Sequence, residues 1–351
     1  MAKHERHDPS SPAQSQVSSS MRPVRLIDVA QAAGVSRSTA SRALTSERGT
    51  TEKTRKKVRQ VADRLGYIRD RRAANLAGGN ACVIGMIVRA DASPFYGSII
   101  RSVQDYVDSH HADLLIVIGS ADPSRQQRAI DVLLEQRVNG IVIASGRADH
   151  DIISKAASKI PISTIGIDSV FTGADSVAIR ADSEAQLVDH VLSYGHRHIG
   201  VTYAPREHSY TLWLRAERIC QAIRSHPDIE VSMIPVDLHY DIPDQHAVLN
   251  AVDQGASVIM TGSDTQALPV IECLSRHRIS VPTQVSVTGF DGIGPMASDM
   301  VGLTTWQQPV DQLATMAVDF LLDRITSPHL PSRSAHVQGH LIPGRTLNNL
   351  V

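Results

Sequence analysis

The sequence predicts a small all-α head followed by an α/β two-lobed body built on parallel doubly wound sheets. Three features predict it. The charge splits near residue 80, a helix, tight turn and helix pattern runs from Leu26 to Leu44, and β-branched runs alternate with helix-length segments after Asn80. At 351 residues the chain is longer than one ordinary domain, and 42% hydrophobic with 20% charged residues is a globular composition. No apolar run approaches the roughly 20 residues of a membrane helix.

The formal net charge of −1 hides an asymmetry. Residues 21–80 hold fourteen Lys and Arg against five Asp and Glu, the first twenty residues cancel, and residues 81–351 carry −10. A basic head on an acidic body points to nucleic acid, because only the head attracts a polyanion. Residues 1–22 are polar and rich in Ser, Pro and Gln, which predicts a disordered tail, with Met21 as an alternative start. The tail lacks the apolar stretch of a secretory signal, so the sequence predicts a cytoplasmic product. Cys82, Cys220 and Cys273 are too few and too scattered for a disulfide framework or zinc cluster.

In residues 23–68, Leu26, Val29, Ala30 and Ala33 form one stripe of a short helix that Gly34 stops. Val35 then plugs the turn, and Ser36 caps a second helix running to about Leu44, in which Ala40, Ala43 and Leu44 pack inward. The outward face is Arg37, Ser38, Ser41 and Arg42, a short, polar, basic surface suited to base edges and phosphates in a major groove. Thr51 caps a third helix carrying Val58, Val61, Ala62 and Leu65, and Gly66 ends it. Small Ala30 and Gly34 let the helices cross closely. Residues 69–80 contain helix formers but are too short for a stable free helix, which predicts a hinge.

In the body, residues 81–351, strands are predicted at 83–88, 114–118, 140–144 and 162–167, then at 198–203, 231–236, 257–261 and 285–289. Helices are predicted near 183–194, 211–225, 244–254 and 264–277. Two doubly wound lobes place a ligand cleft at strand carboxyl ends. A polyhydroxylated ligand needs bidentate charged groups and an aromatic face, and Asp264, Asp291 and Arg215 sit at or after strand ends. A plainer role for each aspartate, as a helix N-cap, is the lesser alternative.

The run Leu26-Ile27-Asp28-Val29-Ala30, Ala33-Gly34-Val35-Ser36, Ser41-Arg42-Ala43-Leu44, Thr54-Arg55 and Leu65-Gly66-Tyr67 resembles the DNA-binding head of the lactose-repressor (LacI/GalR) family of bacterial transcription regulators. The resemblance continues through Ser93-Pro94-Phe95-Tyr96, Val138-Asn139-Gly140-Ile141, Gly195-His196-Arg197-His198, Gly289-Phe290-Asp291 and Leu303-Thr304-Thr305, covering roughly residues 24–326. It implies a periplasmic-binding-protein-like body, a homodimer (with a tetramer as the alternative) on a double-stranded DNA operator, and a small-molecule effector that is sugar-like or nucleoside-like. DNA contacts would fall on Ser36, Arg37, Ser38, Thr39, Ser41, Arg42, Thr45, Arg55 and Tyr67. Leu76 would wedge into the minor groove, where an apolar side chain can unstack a base step. Effector contacts would fall on Phe95, Tyr96, Arg215, Asp264 and Asp291. The chain would cross between lobes near Arg180, near Gln307 to Pro309 and near Ile325, making lobe 1 residues 81–180 and 308–326, and lobe 2 residues 181–307 with the C-terminal tail. Pro269 stands where the family usually has glycine and Gly292 where it has a second aspartate; Leu238, His239 and Tyr240 fall where it often places a stacking aromatic.

His196 and His198 lack a third ligand in the sequence, so no metal site is predicted. No Walker loop, nucleophile elbow or Gly-x-Gly-x-x-Gly spacing appears, so neither an enzyme nor a cofactor is predicted. The sequence therefore reads as a one-component transcription regulator, most simply a repressor. The alternatives are a solute-binding receptor with no DNA role and a repressor that needs no ligand.

Overall fold

The computed structural model describes residues 24–45, 49–68, 82–89, 93–119, 122–146, 149–237 and 240–351. The chain divides into two compact units, Met1–Asn80 and Ala81–Val351. The expected tail at 1–22 and the hinge at 69–80 with Leu76 lie outside the described residues, as do the Thr45 side chain, Leu238 and His239.

The head is three helices, α1 (Leu26–Ala33), α2 (Arg37–Thr45) and α3 (Glu52–Leu65). Gly34 takes φ 66°, a left-handed conformation that costs glycine little, and the amides of Gly34 and Val35 return to Gln31 O (3.1 Å) and Ala30 O (3.0 Å). The hydroxyl of Ser36 accepts from the Thr39 amide at 3.1 Å, and that of Thr51 from the Thr54 amide at 3.3 Å, so both expected caps form. The buried core is Val29, Ala30, Ala33, Ala40, Ala43, Val58, Val61 and Ala62. Five of these eight are alanines, and their small side chains let the axes approach closely.

The body is two six-stranded sheets. In chain order its elements are β1 (Val83–Arg89), α4 (Pro94–Ser109), β2 (Asp113–Gly119), α5 (Pro123–Glu135), β3 (Gly140–Ala144), α6 (His150–Ala157), β4 (Ile162–Ile165), β5 (Asp175–Ile179), α7 (Ser183–Ser193), β6 (His198–Tyr203), α8 (Tyr210–Arg224), β7 (Glu230–Pro235), α9 (Gln245–Asp253), β8 (Val258–Met260), α10 (Asp264–Arg276), β9 (Ser286–Asp291), β10 (Thr304–Gln307), α11 (Val310–Thr326), β11 (Ser334–Val337) and β12 (His340–Ile342). Lobe 1 has strand order β11-β5-β4-β3-β1-β2, and lobe 2 has β12-β10-β9-β8-β6-β7. All pairings are parallel except β10 with β12. Near-continuous apolar strands such as β1 and β3 suit sheets covered on both faces.

The chain crosses between lobes after β5, as expected near Arg180, and between β10 and α11, as expected at Gln307 to Pro309. The third crossing differs from the expectation near Ile325. The chain stays with lobe 1 through β11, which pairs with β5, and crosses only at Gln338 and Gly339 to reach β12. Lobe 1 therefore extends to about residue 337. The cause is Asp175, a fully buried carboxylate at the start of β5. It accepts from Arg324 Nε and Nη2 (3.0 and 2.6 Å), from Arg333 Nη2 (2.9 Å) and from the Arg333 amide (2.8 Å). These bonds hold residues 324–333 against lobe 1.

Burial alone pushes the Asp175 carboxyl up, but the hydrogen bonds and charges of Arg324 and Arg333 outweigh it and hold the group below the ordinary carboxylate range. A depressed carboxylate stabilises the fold above its unfolded pKa, and that contribution disappears as pH falls through the folded value. Replacing Asp175 with Asn should cost about 3–5 kcal/mol in urea denaturation at neutral pH, because two guanidinium groups lose their buried partner. The gap between variant and parent should narrow below about pH 4.

Candidate functional site

In the head, the first turn of α2 presents Ser36, Arg37 and Ser38 to solvent, with Thr39 and Ser41 half-buried and Arg42 exposed. The Ser36 hydroxyl lies 2.9 Å from that of Ser38 and 2.8 Å from that of Thr39, and Arg42 Nε reaches back to Ser38 O at 3.4 Å. Arg55 stands in the first turn of α3 and donates to Thr50 O at 3.4 Å. Tyr67 packs half-buried against the head core. The surface is thus a pre-shaped, hydroxyl-rich and cationic ridge that can meet phosphates and base edges.

In the body, the carboxyl ends of the strands enclose a cavity of about 150 Å³ between the lobes. Of the five residues expected to hold a ligand, Phe95, Tyr96, Arg215 and Asp291 line it and Asp264 does not. Phe95 and Tyr96 open α4 from lobe 1 and pack edge to face, with centroids 5.3 Å apart. Arg215, in the second turn of α8, stacks its guanidinium 3.8 Å from the Phe290 ring centroid, donates to Gly262 O and lies 3.8 Å from Asp291 Oδ1. Tyr240 also reaches the cavity.

Asp264 sits one layer behind the wall. It opens α10 after the Ser263 cap and accepts from Thr305 Oγ1 (2.6 Å), the Gly292 amide (2.8 Å) and the Ile293 amide (3.3 Å). Burial raises its carboxyl pKa, and these donors offset part of that rise. Its work is to hold the turn after β9. Asp291 ends that strand at φ 130°, a conformation unusual for any side chain but glycine, and it accepts from Gln308 Nε2 at 2.7 Å. The bonds from Asp264 on one side and Gln308 on the other keep the Asp291 carboxylate in the cavity wall. Gly292 follows at φ 65°, where a Cβ would lie 2.4 Å from Gln307 Cα, so the aspartate expected from the family pattern has no room here.

Arg89, Gln266 and Gln308 also line the cavity and were not singled out in the sequence. Arg89 ends β1, so the strand-end rule points to it; Gln308 follows β10, a four-residue strand that periodicity did not detect. His196 is buried, with Nδ1 2.8 Å from Ser257 Oγ and Nε2 3.1 Å from Asn348 O, while His198 Nε2 lies 2.8 Å from Ser232 Oγ. Both rings serve the protein's own hydrogen bonding. Among the described residues there is no group of three or more His, Cys, Asp or Glu that could hold a metal ion, and no helix is long and apolar enough to cross a membrane.

A basic three-helix head joined in one chain to a two-lobed body with an interlobe cavity defines a DNA-binding transcription regulator with an effector-binding domain, and comparison with known proteins agrees. Residues 25–70 match the model of bacterial regulatory proteins of the lacI family, and residues 188–347 match a periplasmic binding protein-like domain. The HTH-type transcriptional regulator DegA of Bacillus subtilis is 28% identical over 82% of this chain and 87% of its own length. The ribose operon repressor of Escherichia coli K12 is 27% identical over 86% and 93%. A lac repressor dimer bound to operator and the anti-inducer ONPF superposes with a TM-score of 0.76 at 22% identity, covering 93% of this chain and all of that one. The head thus matches the lacI family of bacterial regulatory proteins, and the proteins the chain resembles along most of its length are transcription regulators rather than enzymes.

Substituting Gly292 by Asp should lower stability by about 1–3 kcal/mol in thermal melting, since both the φ and the Gln307 backbone oppose a side chain there.

Proposed function

We propose that the protein is a repressor that binds a pseudo-palindromic operator as a homodimer and responds to a small neutral polyol, of monosaccharide size, held between the lobes. The observation that carries the DNA part is the exposed first turn of α2, with Arg37 and Ser38 at its tip on a capped helix. Arg37 is the side chain suited to a bidentate contact with guanine, and Ser36, Thr39, Ser41, Arg42, Thr45, Arg55 and Tyr67 suit phosphates and neighbouring edges. Leu76, in the segment outside the described residues, is the proposed minor-groove wedge. Acting on the chromosome, the protein would work in the cytoplasm.

Dimerisation draws support from the sheet edges. Ile116 and Ile118 on β2 are 37% and 59% exposed, and Val231 and Met233 on β7 are 37% and 45% exposed. These strands end their sheets, so each lobe offers an apolar stripe that a second copy would cover. The lac repressor structure of the same fold is described as a dimer bound to operator.

For the ligand, two arginines, Arg89 and Arg215, face two aspartates, Asp241 and Asp291, around the cavity. Balanced charge with hydroxyl and amide side chains favours a neutral, hydroxyl-rich molecule over a strongly charged one. A cavity of about 150 Å³ is well below the size typical for drug-like ligands.

Binding to duplexes selected from random DNA tests the first part. Arg37→Ala should lower discrimination at one base pair of each half-site by about 1–3 kcal/mol, read as affinities for single-base operator variants. Unchanged discrimination would assign base reading to other side chains. Thermal melting of the full chain against sugars, sugar phosphates, nucleobases and nucleosides tests the second part. A ligand at ~100 times its Kd should add about 2.7 kcal/mol of stability, and Arg215→Ala should abolish the shift. A panel with no shift would favour a repressor that needs no ligand.

A further inference from the structure

Two clusters of charge span the cleft, and they share one design. In the first, Asp241 in the loop between β7 and α9 of lobe 2 accepts from His208 Nε2 of its own lobe at 2.6 Å on Oδ1 and from Arg89 of lobe 1 on Oδ2. In the second, Asp168 after β4 of lobe 1 accepts from His336 Nε2 of its own lobe at 2.8 Å on Oδ1 and from Arg218 of lobe 2 on Oδ2. Each carboxylate is thus steadied by a histidine from its own lobe and gripped by an arginine from the other. The Arg89, Asp241, Arg218 and Asp168 side chains are 6%, 16%, 17% and 22% exposed, so these pairs are far less screened than surface ion pairs.

Both clusters connect to the cavity. Arg89 and Asp241 line it directly. The second reaches it through Glu184 in the first turn of α7, a carboxylate only 2% exposed, whose oxygens lie 3.9 Å from Arg218 Nη1 and 3.9 Å from Arg215 Nε. Burial pushes the Glu184 carboxyl up, and the two guanidinium groups offset part of that rise. Glu184 is therefore shared between the arginine that faces the ligand position and the arginine that bridges the lobes.

We propose that these two arginine–carboxylate–histidine clasps set the opening equilibrium of the cleft, and that Glu184 ties the second clasp to Arg215. A ligand is then retained by contacts between the lobes as well as by its own, and lobe opening requires both clasps to part. The inference rests on the ligand reading only for its consequence, because the opening itself is measured without any ligand.

The α8 N-terminus supplies the reporter. The Tyr210 amide begins the helix, where no intrahelical acceptor exists, and donates instead to Gly146 O of lobe 1 at 2.8 Å. Its hydrogen-exchange protection therefore reports lobe contact. Hydrogen exchange on the full chain should show Tyr210 protected in the parent. In the double variant Asp168→Asn with Asp241→Asn, exchange there should be roughly tenfold faster, while β3 and β6 keep their protection. Parent-like protection of Tyr210 in the double variant would overturn the proposal. If the Asn variants lost protection throughout both sheets, Arg89→Lys with Arg218→Lys decides: faster exchange confined to the Tyr210 region supports the clasps, and unchanged exchange overturns them.

Discussion

The buried carboxylate of Asp175 determines how the two lobes are joined. By binding Arg324 and Arg333 it keeps the chain in lobe 1 after α11 and allows β11 to complete that sheet before the chain returns to lobe 2. Each lobe is thereby finished by chain that has already visited the other. Three crossings, at Arg180, Gln308 and Gln338, concentrate flexion between the lobes in a few short segments, while every strand end that matters points into the same cleft.

That frame explains why strain appears where it does. Asp291 holds φ 130° at the cavity wall, and it is surrounded by groups that leave it little alternative: Asp264 ties down the two amides after it, and Gln308, next to the second crossing, ties down its side chain. A backbone held this way persists only when its neighbours over-determine it, and those neighbours belong to two other elements, the start of α10 and the segment after β10. The cavity and the crossing therefore share Gln308, so a ligand bound there would have a physical route to the geometry between the lobes.

The head follows a different economy. With eight buried residues among those described, five of them alanine, it has little apolar area to bury, and its stability leans on capped helix ends and close helix approach. Ala40 in the first turn of α2 packs into that core, while Arg37 and Ser38 beside it stay exposed and available for recognition.

Much of this was legible in the sequence. The head was readable because each helix carries its own stop and start chemistry, Gly34 with Ser36 and Gly66 with Thr51, and because its charge contrasts with the body. Strands β1, β3 and β6 were readable from runs rich in β-branched residues, and Phe95, Tyr96, Arg215 and Asp291 from strand-end position and family resemblance. Strands β5, β10, β11 and β12 were not: the last three are three or four residues long with polar members, and β5 opens with a charge that makes sense only beside Arg324 and Arg333. Asp264 illustrates the limit most directly: its position in the sequence points to a ligand contact, with a helix cap as the plainer role, whereas the fold sets it behind the cavity wall, bonded to Thr305 and two backbone amides. The pairing of Arg89 with Asp241 and of Arg218 with Asp168 was decided in the same way, because partners 50 or more residues apart meet only once both sheets are closed. Local chemistry thus determined the elements and the class of protein, and tertiary structure decided which charges would meet.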